Sequence, residues 1–228
     1  MSLLRTQSAA APRAADLRER ACYRPLLAVD WGRALIAGLV AGMVPVALVA
    51  WLFFDDTFAN LANEETFRGY RFYLKLGLLG DALPWLVLAV AIWMVGHWRR
   101  RSDICGWATF LFLAIAASGI AVNLLKLVFT RMRPNWHGVV PQGGSYSFPS
   151  GHSVTIGAIA VVLTLRWPRF FPVALLLVAL VAVNRVVSFN HHLTDVIVGL
   201  ILGMLSTLVL EWGWWRYLPD SFRLLRRE

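Results

Sequence analysis

Charge is scarce in this chain, and negative charge is scarcest. Only 15% of its 228 residues are charged, and 13 of them are Asp or Glu, against about a quarter charged in an ordinary soluble domain. That shortage excludes a freely soluble globular protein. Cysteine is nearly missing too: Cys22 and Cys105 are the whole complement. Neither stands in a C-x-x-C or similar ligand spacing, so no disulfide and no zinc site is expected. The first 33 residues carry scattered arginines but no apolar run. They lack the core of a cleavable signal peptide and read as a cytosolic tail. No internal repeat or low-complexity segment breaks the chain.

What is plentiful is apolar surface. Hydrophobic residues make up 58% of the sequence, with 11 tryptophans. Six segments could cross about 30 Å of hydrocarbon: residues 34–54, 79–98, 104–125, 153–167, 170–187 and 196–215. The expected fold class is therefore all-α, a polytopic membrane helical bundle with six transmembrane helices and both termini cytosolic. It forms one domain over residues 34–217, between the tail 1–33 and a basic tail 218–228. Residues 57–75 mix aromatics with charges and suggest an interfacial amphipathic helix, or equally a polar connection with aromatic anchors. Trp212, Trp214 and Trp215 read as an aromatic belt. Gly38, Gly42, Gly199 and Gly203 recur at four-residue spacing, which suits close helix packing within one bundle. Oligomeric state is not legible.

The formal charge of +9 does not imply nucleic acid, because in such a protein basic residues mainly set orientation and meet anionic headgroups. With the N-terminus cytosolic, fifteen of the 22 basic residues fall inside and seven outside. The seven are Arg68, Arg71, Lys75, Lys126, Arg131, Arg133 and Arg185. Four of them lie in the two outer loops that run from Lys126 to His152 and from Arg185 to Asp195, against the trend of the rule. These loops need another explanation.

Three clusters supply it. In "KLVFTRMRP", Lys126 precedes Arg133 and Pro134. In "PSGH", Pro149, Ser150 and Gly151 lead to His152. In "RVVSFNHHLTD", Arg185 is followed by His191 and then by Asp195. Singly, each has a plainer explanation: snorkelling cations, a helix start capped by Ser150, an interfacial histidine. Together on one membrane face they form a set suited to phosphate. Lys126, Arg133 and Arg185 offer one ammonium and two guanidinium forks to anionic oxygens. Gly151 permits close backbone approach at a helix start whose amides favour an anion. His191 and Asp195 are four apart, on one face if the segment is helical, so the carboxylate can hold one ring nitrogen and leave the other to attack phosphorus. His152 can protonate the leaving oxygen and later activate water. Three cations stand where a metal would neutralise charge, so neither metal nor cofactor is expected.

At these residues the sequence resembles the type-2 phosphatidic acid phosphatase family, whose superfamily includes lipid phosphate phosphatases, bacterial acid phosphatases and vanadium haloperoxidases. Its pattern K-x6-R-P, P-S-G-H and S-R-x5-H-x3-D is matched by Lys126, Arg133 and Pro134, by residues 149–152, and by Arg185, His191 and Asp195. The likeness runs from about Ile104 to the end of the last span. It implies metal-independent hydrolysis through a phosphohistidine on His191, with His152 as acid and base, at the extracytoplasmic face of a bacterial inner membrane. Family substrates include undecaprenyl diphosphate, phosphatidylglycerophosphate, phosphatidic acid and the phosphates of lipid A. Asn184 departs from the usual Ser, and its amide can still donate to a phosphate oxygen as an accessory contact. His191 fits the spacing and the adjacent His192 does not. The expected partner is a phosphorylated membrane lipid in the bilayer. Transfer of the phosphoryl group to a second lipid, and a non-catalytic phospholipid binder or transporter, are the alternatives.

Overall fold

The computed structural model describes residues 30–57, 76–134 and 146–217. The segment expected to be an interfacial helix falls, from residue 58 on, outside the described residues, as do Cys22, Gly144 and both tails. Among the described residues there are six α-helices: α1 (Asp30–Val49), α2 (Ala82–Trp98), α3 (Ser102–Val128), α4 (Gly151–Arg166), α5 (Phe171–Val187) and α6 (Leu193–Tyr217). They fall on the six apolar segments of the sequence. Four helical stretches are long and apolar enough to cross a membrane: Gly32–Thr57, Ser102–Val128, Pro168–Val187 and Leu193–Trp214. The other two helices, α2 and α4, have 17 and 16 residues, or about 25 Å at 1.5 Å per residue. The chain folds as an integral membrane helical bundle, with two of the six described helices shorter than a full span.

The short helices have local causes. Asp81 takes an extended conformation before α2 and separates it from a tight 3-10 turn, Gly77–Gly80. At the far end of α4, Trp167 leaves helical geometry and Pro168 opens another 3-10 turn. A short α4 is tolerable because it is the central helix: every residue from Ser153 to Val162 is buried. Its apolar surface faces other helices on all sides, as expected for a helix that is hydrophobic all round.

Glycines set how closely α4 meets α6. A methyl group on Gly157 would lie 2.7 Å from the Leu200 carbonyl oxygen, on Gly199 2.7 Å from that of Ser150, and on Gly203 2.0 Å from that of Val154. Backbone meets backbone along this seam. Gly199 and Gly203 thus pack within the bundle as expected, whereas Gly38 and Gly42 have no neighbour within 4 Å of such a methyl. Trp214 also departs from the expected belt. It is buried and packs edge-on against Phe110 at 5.7 Å, while Trp212 stays exposed. At this same end Arg33 ties α1 to the buried Glu211 of α6 at 2.8 Å.

Helix α1 carries Pro45 in its interior and runs on through a wide π turn, Ala50–Phe54. A π turn inserts one residue into the helical register. Trp51, Leu52, Phe53 and Phe54 face outward, yet Asp55 immediately after them is 1% exposed. The start of α2, the ends of α1, α3 and α5 and the beginnings of α4 and α6 all bring polar residues to one end of the bundle.

Candidate active site

The sequence places His191 and Asp195 on one helical face, but α6 begins only at Leu193 and His191 lies in the turn before it. Its Nδ1 is 3.7 Å from Asp195 Oδ2, beyond a direct hydrogen bond. The nearer acceptor is the Ser147 carbonyl oxygen, 2.9 Å from Nδ1. A backbone carbonyl can only accept, so Nδ1 carries the hydrogen and Nε2 keeps its lone pair. Asp195 reaches the ring indirectly: the Ser147 hydroxyl donates to Asp195 Oδ2 and lies 3.4 Å from Nδ1. Burial, above all, holds the His191 imidazole below the ordinary histidine range, with Arg133 and Lys126 acting in the same sense and Asp195 against it.

Asp195 is fully buried and surrounded by donors. Its Oδ2 accepts the His192 amide at 2.9 Å, and its Oδ1 accepts Arg131 Nη1 at 3.0 Å. Arg131 continues to Asp55, with Nη2 2.9 Å from Oδ2. Asp55 in turn accepts the Thr194 amide at 3.2 Å and the Thr194 hydroxyl. The result is a ladder, Asp55–Arg131–Asp195–Ser147, that fixes the turn bearing His191 to the ends of α1 and α3. His192 is buried beside it, with its ring nitrogens facing the carbonyls of Asp55 and Met132 at 3.4 and 3.3 Å. That placement separates it in role from His191.

Ser150 precedes α4 as expected, but its hydroxyl caps no helix amide. It accepts from Ser153 Oγ at 3.0 Å, and the Ser150 amide donates to the Asp195 carbonyl at 3.0 Å. The first amides of a helix have no partner inside it, so those at the start of α4 are available to an anion. A methyl on Gly151 would meet no atom within 4 Å. The backbone there faces open space.

The predicted cations converge on this opening. Lys126 is buried in the last turn of α3, Arg133 lies in the segment that follows, and Arg185 is buried in the last turn of α5. Arg133 acts electrostatically on Lys126, His152, Arg185 and His191, so the three clusters share one site. Burial lowers Arg133 from its ordinary value while Asp195 opposes the shift, and a guanidinium stays charged in either case. His152, on the first turn of α4, places Nε2 2.7 Å from Asp81 Oδ1.

Asn184 also supports Arg185. It is fully buried, and its Oδ1 accepts from Arg185 Nε at 3.1 Å and Nη2 at 2.6 Å. Its oxygen thus steadies the Arg185 fork, while its buried Nδ2 has no hydrogen-bond partner. Four residues were not singled out from sequence: Asp55, Asp81, Arg131 and Ser147. An acidic residue at the end of a long apolar run was the available signal for Asp55.

A cavity of about 770 Å³ lies beside the ladder, lined largely by apolar side chains of the ends of α1 and α3 and by Phe148, with Thr130, Arg131 and Thr194 as polar members. Phe148 adjoins Ser147, and Thr194 adjoins Asp195. The cavity thus borders the residues that hold His191.

Fold and site together define an integral membrane helical bundle that gathers cations and histidines at one end. The chain belongs to the PAP2 superfamily, whose family model matches residues 107–218. It is 34% identical over 109 residues to a lipid A 1-phosphatase of Rhizobium johnstonii, a match covering 44% of this chain and 45% of that protein. Phosphatidylglycerophosphatase B of Bacillus subtilis is 30% identical over 117 residues, 46% of this chain and 57% of that one. The aligned part spans roughly half the length of each relative. In three dimensions the chain resembles the crystal structure of a transmembrane PAP2-type phosphatidylglycerolphosphate phosphatase from Bacillus subtilis. The TM-score is 0.56 at 23% identity, over 83% of this chain and 96% of that one.

Proposed function

We propose that the protein is a lipid phosphatase that hydrolyses a lipid phosphomonoester or diphosphate at the extracytoplasmic membrane surface. The observation that carries this reading is the His191 ring, with Nδ1 committed to the Ser147 carbonyl at 2.9 Å and Nε2 left as nucleophile among Lys126, Arg133 and Arg185. In the first step Nε2 forms a bond to phosphorus, the bond from phosphorus to the lipid oxygen breaks, and His152 gives that oxygen a proton. In the second, water attacks phosphorus, His152 takes its proton, and the P–N bond breaks to free inorganic phosphate. The cations and the α4 amides hold the non-bridging oxygens and balance the charge that grows on them. No metal is needed in this scheme.

The apolar cavity beside the site supports a lipid over a soluble ester, and so do the names of the relatives. The excess of basic residues at the opposite end of the bundle supports an outward-facing site, with the tails 1–33 and 218–228 in the cytosol. Residues 34–217 then make up the catalytic membrane domain. The test is phosphate release by purified protein from phosphatidic acid, phosphatidylglycerophosphate and prenyl diphosphates, in detergent with EDTA. Release is expected with chelator present and absent in His191→Ala. Loss on chelation would refute the metal-free mechanism, full activity of His191→Ala would remove the nucleophile, and label passing into a second lipid would establish transfer instead. Labelling of a cysteine at Gly144 from the cytosol alone would invert the topology.

A further inference from the structure

Asp81 stands outside every motif that points to phosphate chemistry and outside the segment matched by the family model, yet its carboxylate touches the histidine that must supply a proton. We propose that Asp81 is the positioning residue for His152, holding the Nε2 proton so that Nδ1 is the nitrogen that donates to the leaving oxygen. This inference rests on the phosphatase reading and assigns it a second histidine–carboxylate pair.

The geometry is direct. Asp81 Oδ1 is 2.7 Å from His152 Nε2, within the range of a charge-assisted hydrogen bond. A nitrogen engaged there cannot also protonate an alkoxide, so the proton delivered in catalysis comes from Nδ1. The turn that carries Asp81 is built onto the site. A methyl on Gly77 would lie 2.5 Å from Arg185 Nη2, and one on Gly80 2.7 Å from His152 Cβ. At Gly80 in particular, a residue without a side chain lets the turn sit this close to His152. It is held at its other edge by Trp85 Nε1, which donates to the Leu79 carbonyl at 2.7 Å, and by the Asp81 amide bonded to Leu78 O at 3.2 Å.

The electrostatics give the carboxylate a task. Burial, above all, pushes the His152 imidazole down to about 4, with Arg185 from α5, His191 from the turn before α6 and Arg133 from the segment after α3 acting in the same sense, and Asp81 is the counter-charge that opposes them. Without that carboxylate the imidazolium would be weaker still. With Asp81 present, Nδ1 transfers its hydrogen to the departing oxygen while Nε2–H stays on the carboxylate. Water then returns a proton to Nδ1 in the second step. Both protons balance without a further reactant.

The experiment compares Asp81→Asn with wild type on two substrates, dioctanoyl phosphatidic acid and p-nitrophenyl phosphate. An alkoxide needs a proton in order to leave and a nitrophenolate does not. The variant is expected to lose about 30- to 100-fold in kcat on the alkyl ester and at least roughly tenfold less than that on the aryl ester, in line with the usual size of general-acid effects. The alkaline limb of its pH profile moves to lower pH, because the imidazolium has lost its counter-charge. Asp81→Glu restores part of the alkyl-ester rate. Equal losses on both esters, or no loss on either, would overturn the inference while leaving the phosphatase reading intact. A wild-type protein that releases phosphate from neither ester, nor from phosphatidylglycerophosphate or prenyl diphosphates, overturns that reading, and the role of Asp81 with it.

Discussion

Replacing Arg131 by methionine keeps the length of the side chain and removes the charge shared by two buried carboxylates. Asp55 and Asp195 are 1% and 0% exposed, and Arg131 bridges them at 2.9 and 3.0 Å. Removing one partner of a buried ion pair costs about 3–5 kcal/mol, since the partner left behind is an unpaired charge. The Arg131 side chain is 28% exposed, so water reaches the pair and the low end, about 3 kcal/mol, is expected. For a chain of this size that lowers the melting temperature by about 6–12 °C. Thermal unfolding in detergent, followed by tryptophan fluorescence, reads it. In Asp55→Asn/Arg131→Met one uncompensated carboxylate is gone, so the double variant should be more stable than the sum of the single losses by about 1–2 kcal/mol. Phosphate release should fall with the single change as well, because Asp195, which steadies the turn bearing His191, loses its Arg131 donor. A melting temperature within 1 °C of wild type together with lost activity would refute the ladder and make Arg131 a phosphate ligand instead. Strict additivity in the double variant would refute the coupling.

Other consequences follow from the same geometry. His191 must be unprotonated to attack, and burial keeps its imidazole below the ordinary histidine range. The acid limb of kcat/KM should therefore lie below about pH 6.5. Lys126→Met removes a positive charge that acts in the same sense as burial, so the residual activity of that variant should show its acid limb at higher pH. Gly203→Ala places a methyl 2.0 Å from the Val154 carbonyl oxygen. It should lower stability by about 1–3 kcal/mol, the usual cost of overpacking, whereas Gly38→Ala, facing open space, should leave the melting temperature unchanged or slightly raised.

The parts of the fold legible in sequence are those governed by local pattern. Apolar run length locates the six described helices, and the fixed spacings around His152, His191 and Arg185 name residues that meet at one end. What could not be read are the contacts made across the chain. Arg131 looks like one more interfacial cation until α1 and α6 bring Asp55 and Asp195 to it, from sequence separations of 76 and 64 residues. Ser147 sits in a stretch whose neighbours draw attention to Ser150, and its contribution comes chiefly from a carbonyl, which no side-chain pattern encodes. The His191 and Asp195 spacing of four suggests a helix-face pair, and the chain instead makes a turn there, with Phe189 at φ 52° and α6 starting two residues after His191. The Asn184 oxygen accepts from Arg185, a contact that the residue type alone does not announce.

The glycine seam between α4 and α6 has a mechanical consequence. His152 rides on the first turn of α4, and the Asp195 that anchors the His191 turn rides on the first turn of α6. With Gly157, Gly199 and Gly203 allowing the two backbones to touch, these helices can neither slide nor part without breaking contacts along most of their length. The proposed acid and nucleophile are therefore carried on a single stiff jaw that spans the bundle, and the separation between His152 and the turn bearing His191 is set by that seam.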